Sequence, residues 1–132
     1  MVSPFRYSQT IADWEGHTDD RTDRHRALIA RQALNETRDP YRFFLVHFAN
    51  IDTQAHYYGV DKRYNAADSY QHAVTHSAEY IESILDVTDA HPLADRTIVI
   101  ITSDHGEVDA GGHGGSDDAL TLIPFIVYRK GS

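Results

Sequence analysis

Two short stretches of this sequence hold the residue types that bind a divalent cation. One is Asp52-Thr-Gln-Ala-His56; the other is Ser103-Asp104-His105-Gly106, with Gly111-Gly-His113-Gly-Gly115 close behind it. Carboxylates supply charge and oxygen donors, and neutral imidazoles supply directional nitrogen donors that reach zinc at about 2.0–2.1 Å. The chain has no cysteine, so a disulfide framework and a thiolate site are both excluded and a metal here uses nitrogen and oxygen ligands. Glycines on either side of His113 let the backbone adopt the positive φ with which a loop turns back on a site. Taken singly, D-x-x-x-H and D-H-G are weak patterns, and the plain alternative is polar loop residues that cap helices and turns.

Composition sets the frame for these residues. The 132 residues, 41% hydrophobic and 24% charged, fit one globular α/β domain over residues 1–132. A formal charge of -8 opposes a nucleic-acid backbone, so phosphate-backbone binding is not expected. Nine histidines set among twenty carboxylates are an unusual supply of ligands for a borderline cation. The longest apolar stretches, within 43–48 and 98–101, fall far short of the roughly 20 residues of a membrane helix. No basic segment leads into an apolar one at the N-terminus, so a secretory signal, if used, is expected outside this sequence.

Periodicity supplies the elements that must position the ligands. Residues 18–36 place Ala27, Ala30 and Leu34 on one helical face. Residues 41–48 are apolar on both faces, which predicts a buried parallel strand, followed by a polar loop over 49–62. From Asn65, read as an N-cap, Tyr70, Ala73, Val74, Ser77, Ile81, Ile84, Leu85 and Thr88 keep helical spacing. A second buried strand is predicted over 97–102 and a third over 122–128, where Pro124 is confined to a strand edge or start. Strand, helix, strand makes a βαβ unit with parallel strands, and functional residues collect beyond the carboxyl ends of such strands. Both ligand stretches then lie at that edge.

At this point the residues resemble a known family. Phe44-Leu-Val-His-Phe-Ala-Asn-Ile-Asp52-Thr-Gln-Ala-His56-Tyr-Tyr-Gly59, Thr97-Ile-Val-Ile-Ile-Thr-Ser-Asp104-His105-Gly106 and Gly112-His113-Gly-Gly115 look like the C-terminal metal-binding half of the alkaline phosphatase superfamily. Within it the likeness is to type I phosphodiesterases/nucleotide pyrophosphatases and the glycosylphosphatidylinositol (GPI) ethanolamine phosphate transferases, over residues 41–128. The resemblance implies an alkaline-phosphatase-like α/β fold with a partly parallel sheet and flanking helices, present as its C-terminal part. It implies a phosphoester hydrolase or phosphotransferase with two divalent metal ions, zinc or else manganese. Asp52, His56 and His113 match the ligands of the first ion, and Asp104 and His105 match part of the second. The family's remaining Asp and its Ser or Thr nucleophile have no matching context here, so they are expected upstream, in a missing N-terminal half; Ser103 and Ser116 do not match the nucleophile. In-line displacement at phosphorus would follow, with the ions activating the hydroxyl and stabilising the leaving oxygen. The implied substrates are small-molecule or lipid-linked phosphoesters, and the implied setting is extracytoplasmic or membrane-associated.

Two other readings accompany this one. Phe48-Ala-Asn-Ile-Asp52 and Asp104-His-Gly-Glu are also similar to cofactor-independent phosphoglycerate mutases, and a chain with ligands but no nucleophile could be a non-catalytic metal-binding module. Among the remaining candidates, His47 reads as a core histidine inside a strand, and His72 and His76 as solvent-facing residues of the long helix. His17, His25 and His91 read as surface residues, and Asn35-Glu-Thr37 as a chance glycosylation match on a helix. Glu107 is a candidate for a supporting role behind the ligands, or a solvated loop carboxylate.

Overall fold

The computed structural model describes residues 20–38, 42–60 and 69–131. Its elements run α1 (Asp20–Glu36), α2 (Asn50–Tyr58), α3 (Tyr70–Ala90), a 3-10 turn (Ala94–Arg96), β1 (Val99–Thr102), α4 (Asp118–Thr121) and β2 (Phe125–Tyr128). The class is mixed α and β. Helix α1 packs on α3, as α2 does. Small residues are buried on these helices: Ala27 and Ala30 of α1, Ala55 of α2 and Ala73 and Ser77 of α3. Short side chains let the helix backbones approach closely, at the cost of little apolar area per residue. Thr88, also buried, returns its hydroxyl to the Ile84 carbonyl at 2.8 Å and so hides no unpaired donor.

The long helix begins at Tyr70, and the Ser69 hydroxyl accepts from the His72 N–H at its N-terminus. Asn65, the expected cap, lies outside the described residues, as do His17 and residues 18–19 of the expected first helix. His91 is not the plain surface residue expected. Its Nδ1 accepts from the Leu93 N–H at 3.1 Å and its Nε2 lies 2.9 Å from the Thr37 carbonyl, tying the end of α3 to the end of α1.

Two expectations are corrected. Residues 42–49 form no strand, and Phe43 and Leu45 are largely exposed. A segment apolar on both faces needs neighbouring strands and covering layers, and no described strand pairs with it. The parallel βαβ pairing is therefore not seen; the sheet is β1 with β2, antiparallel, in the register Val99↔Tyr128 to Thr102↔Phe125. Pro124 stands immediately before β2, where its missing N–H costs no ladder bond. The second correction falls on residues 49–62, of which 50–58 are helix α2 and not loop. That segment has few apolar residues because only one turn of it faces the core, through Ala55 and Asn50.

Candidate metal centre

Helix α2 brings the first ligand stretch into order, since residues four apart lie one above the other on a helix. Asp52 Oδ1 is 3.4 Å from His56 Nε2. The helix is capped from elsewhere in the chain: Ala49, at its N-cap, supplies no side-chain bond, but both oxygens of Asp23 on α1 are used there. Oδ1 accepts from the Ala49 N–H at 3.1 Å and Oδ2 from the Asn50 N–H at 2.8 Å, while Arg26 pairs with Oδ1 at 2.7 Å. Asp23 is almost wholly buried, and a buried carboxylate is tolerable only when so fully bonded. Charge-dense α1 had given no sequence signal that marked this residue.

The second stretch leaves the end of β1. His105 Nδ1 lies 2.9 Å from the Gly106 carbonyl; a carbonyl only accepts, so Nδ1 carries the proton and Nε2 faces the site as an acceptor. That bond is the main reason the His105 pKa lies above its ordinary value, with burial opposing and Asp104, Asp52 and Glu107 assisting. Gly106 donates to the Leu120 carbonyl at 2.9 Å, and a Cβ on it would stand 2.0 Å from the Ala119 carbonyl oxygen. Here α4 lies directly against the D-H-G turn.

The loop that follows folds back onto α2. Asp109 O accepts from the Val60 N–H at 3.0 Å, and Gly111, at φ +83°, lies so close to α2 that a Cβ would meet the Ala55 carbonyl oxygen at 2.0 Å. Only glycine fits both that φ and that approach. The loop thus delivers His113 beside His56, their rings 5.1 Å apart and nearly perpendicular, and stacks it on His105 at 3.9 Å.

The result is a hub. Asp52 Oδ1 has His56 Nε2 at 3.4 Å, His113 Nε2 at 3.5 Å and His105 Nε2 at 3.9 Å around it, yet it is buried and accepts no hydrogen bond. A buried carboxylate oxygen with no N–H or O–H donor on it is costly unless a cation completes it. Two ligand groups share Asp52, one with His56 and His113 and one with His105 and Glu107, each with donor atoms within 4.8 Å of one another. An N/O set of this kind fits zinc or a similar divalent ion.

Of the five residues singled out in the sequence, Asp52, His56, His105 and His113 are brought together. Asp104 is at the rim, with its side chain 76% exposed and its Oδ1 3.7 Å from His105 Nε2. Glu107 is drawn in instead: its side chain is only 7% exposed, and its Oε2 accepts from the Gly112 N–H at 2.8 Å. Burial, then the adjoining Asp52 carboxylate, push Glu107 above the usual carboxylate range, against the pull of the Gly112 N–H and His105. His25, His47 and His72 are exposed; His76 is half-buried, against His72 and Tyr80. Ser116 is exposed and Ser103 half-buried. Asn35 is exposed on α1.

The family model described as "Type I phosphodiesterase / nucleotide pyrophosphatase" matches residues 2–118, reaching well upstream of the motifs. The chain is similar to GPI ethanolamine phosphate transferase 1 of Gibberella zeae, 26% identical over 98% of this chain and 14% of that protein. The Homo sapiens protein of the same name is 26% identical over 81% of this chain and 11% of its own length, and the Mus musculus one 30% over 67% and 9%. The chain thus spans about a seventh or less of these relatives. No solved structure matches it.

Proposed function

The chain belongs to the type I phosphodiesterase / nucleotide pyrophosphatase family, and from that premise we propose that it carries part of a metal-dependent centre for phosphoester hydrolysis or transfer. Asp52, His56 and His113 are the ligands of one ion; Asp104 and His105 contribute to a second. The observation that carries the proposal is the convergence of three imidazole nitrogens on the buried Asp52 Oδ1.

Zinc or manganese, when bound, would supply Lewis-acid polarisation of a phosphoryl oxygen and lower the pKa of an attacking hydroxyl. The chain's own residues do the rest. Asp52 offers negative charge at the centre, and the Gly106 carbonyl fixes the His105 tautomer that leaves Nε2 free. The loop packed on Ala55 keeps His113 facing the same oxygen as His56. Exposed Asp104 stands where the centre opens to solvent, the side from which a phosphoester would enter. The hydroxyl nucleophile is proposed to come from a part of the fold upstream of these motifs, which would also cover the apolar residues left exposed at Phe43, Leu45 and Ile100. The names of the relatives extend the proposal to a lipid-linked phosphoester, with an ethanolamine phosphate group transferred.

Titration calorimetry of the 132-residue chain with zinc and with manganese tests the centre. Saturable binding, abolished by ethylenediaminetetraacetate and by Asp52→Ala, is expected. Absence of saturable binding by the folded chain would overturn the proposal.

A further inference from the structure

We infer that Glu107 is a positioning residue that locks the loop carrying His113, acting through the backbone and not as a ligand. The inference rests on the metal-centre reading above for its purpose, but its structural half stands on separate observations. Glu107 opens the loop and Gly112 ends it, and the carboxylate joins the two by accepting the Gly112 N–H at 2.8 Å. Inside that closure the Gly111 N–H donates to the Val108 carbonyl at 2.8 Å and the Val108 N–H to the Gly112 carbonyl at 3.3 Å. The next residue is His113, so whatever sets the Gly112 peptide sets the origin of the imidazole.

Burial separates this carboxylate from an ordinary loop acid. The side chain is 7% exposed, and its second oxygen, Oε1, is buried 3.7 Å from His105 Nδ1, with the Asp52 carboxylate adjoining the group. Nδ1 is already committed to the Gly106 carbonyl. An acid so placed costs desolvation, which the bond it accepts from Gly112 helps to offset. Without the acceptor, the Gly112 N–H would lose its partner and the peptide from which His113 departs would be held less firmly. Direct coordination by Glu107 is the competing possibility, since its oxygen lies within the ligand group of Asp52 and His105. The made bond to Gly112 favours the positioning role.

Two substitutions separate these roles. Glu107→Gln keeps a carbonyl oxygen for the Gly112 N–H and removes the charge; Glu107→Leu removes the acceptor at similar volume. Far-UV circular dichroism and thermal melting first establish which variants are folded. Two readouts follow on the 132-residue chain: zinc affinity by calorimetry, and exchange of the Gly112 amide followed by NMR in the metal-free chain. Glu107→Leu should weaken zinc about tenfold or more, the usual loss when an outer support of a ligand is removed. It should also speed Gly112 exchange about fivefold or more. Glu107→Gln should stay close to the parent in both. If Glu107→Leu fails to fold, a Glu107→Gln chain with parental affinity and parental Gly112 protection still supports the role. Loss of zinc in Glu107→Gln with Gly112 still protected would overturn it in favour of direct coordination. Parental Gly112 exchange in folded Glu107→Leu would overturn it outright. Should the parent chain take no zinc, the metal-centre reading fails on its own, and Gly112 exchange alone decides whether Glu107 locks the loop.

Discussion

The carboxylate of Asp23 on α1 accepts the backbone N–H of Asn50 at 2.8 Å, so a residue far upstream caps the helix that carries Asp52 and His56. Caps of this kind are worth about 0.5–2 kcal/mol, and this one serves two N–H groups from a buried position. Asp23→Ala is expected to lower the unfolding free energy by about 1–2 kcal/mol in urea titrations and to weaken zinc binding as α2 frays. Unchanged stability and unchanged affinity would show that α2 holds itself.

His113→Ala should weaken zinc at least about tenfold, or about 1.4 kcal/mol, in calorimetric titration. The reason is that the Asp52, His56 and His113 group loses one of its three donors while the Asp52–His56 pair on α2 stays intact. Equal affinity in the two proteins would remove His113 from the centre.

Asp52 and Asp104 should behave differently under substitution. Asp52 belongs to both ligand groups, whereas Asp104 belongs to neither, is exposed and lies 3.7 Å from His105. Asp104→Asn is therefore expected to leave the first site in place and to reduce metal content by about one ion where two are bound, while Asp52→Ala removes both. Plasma emission spectrometry after gel filtration gives the count. The idea of two sites fails if Asp104→Asn empties the centre of a folded protein.

Tyr128 gives a prediction in pH. Its hydroxyl donates to the Asp89 carboxylate, joining β2 to α3, and that bond first, then burial and the charges of Asp89 and Asp86, hold its pKa above the ordinary value of about 10. A folded pKa raised above the unfolded one contributes stability that is fully present below about pH 10 and is lost as pH rises through the folded pKa. The melting temperature of the parent should exceed that of Tyr128→Phe by a constant margin near neutrality, and the margin should close in alkaline buffer. A margin that widened there would contradict the bond.

The sequence made some of this legible and concealed the rest for physical reasons. The long helix stood out because Ala73, Ser77, Ile84 and Thr88 repeat at helical spacing and the core uses that face. The last strand was readable in kind, but its reading began at Leu122, whereas β2 begins at Phe125, after the proline that has no N–H for a ladder. Helix α2 was concealed, since its cap is Asp23 and lies outside the segment, and only Ala55 and Asn50 are buried along it. The segment 42–49 misled because its apolar pattern speaks for burial by neighbours that none of the described residues supply. In the centre, Asp52, His56, His105 and His113 could be picked out by type and spacing, although Asp52 and His56 were expected on a loop and stand on α2. The burial of Glu107 could not be seen, because it depends on a loop returning to α2 through Gly111.

The contact at Gly106 bears on which changes this protein can tolerate over generations. Its φ is not in the left-handed region, so the backbone itself would accept alanine; the obstacle is the Ala119 carbonyl oxygen, 2.0 Å from where the methyl would go. That obstacle is main chain, which no substitution at position 119 can trim away. In a saturation library, then, position 106 should reject even its smallest replacement while its partner at 119 accepts many, and second-site rescue should come from shortening or re-routing residues 116–121. Intolerance at the D-H-G glycine would record how tightly α4 is stowed, and it would persist in a lineage that had given up catalysis but kept the shape.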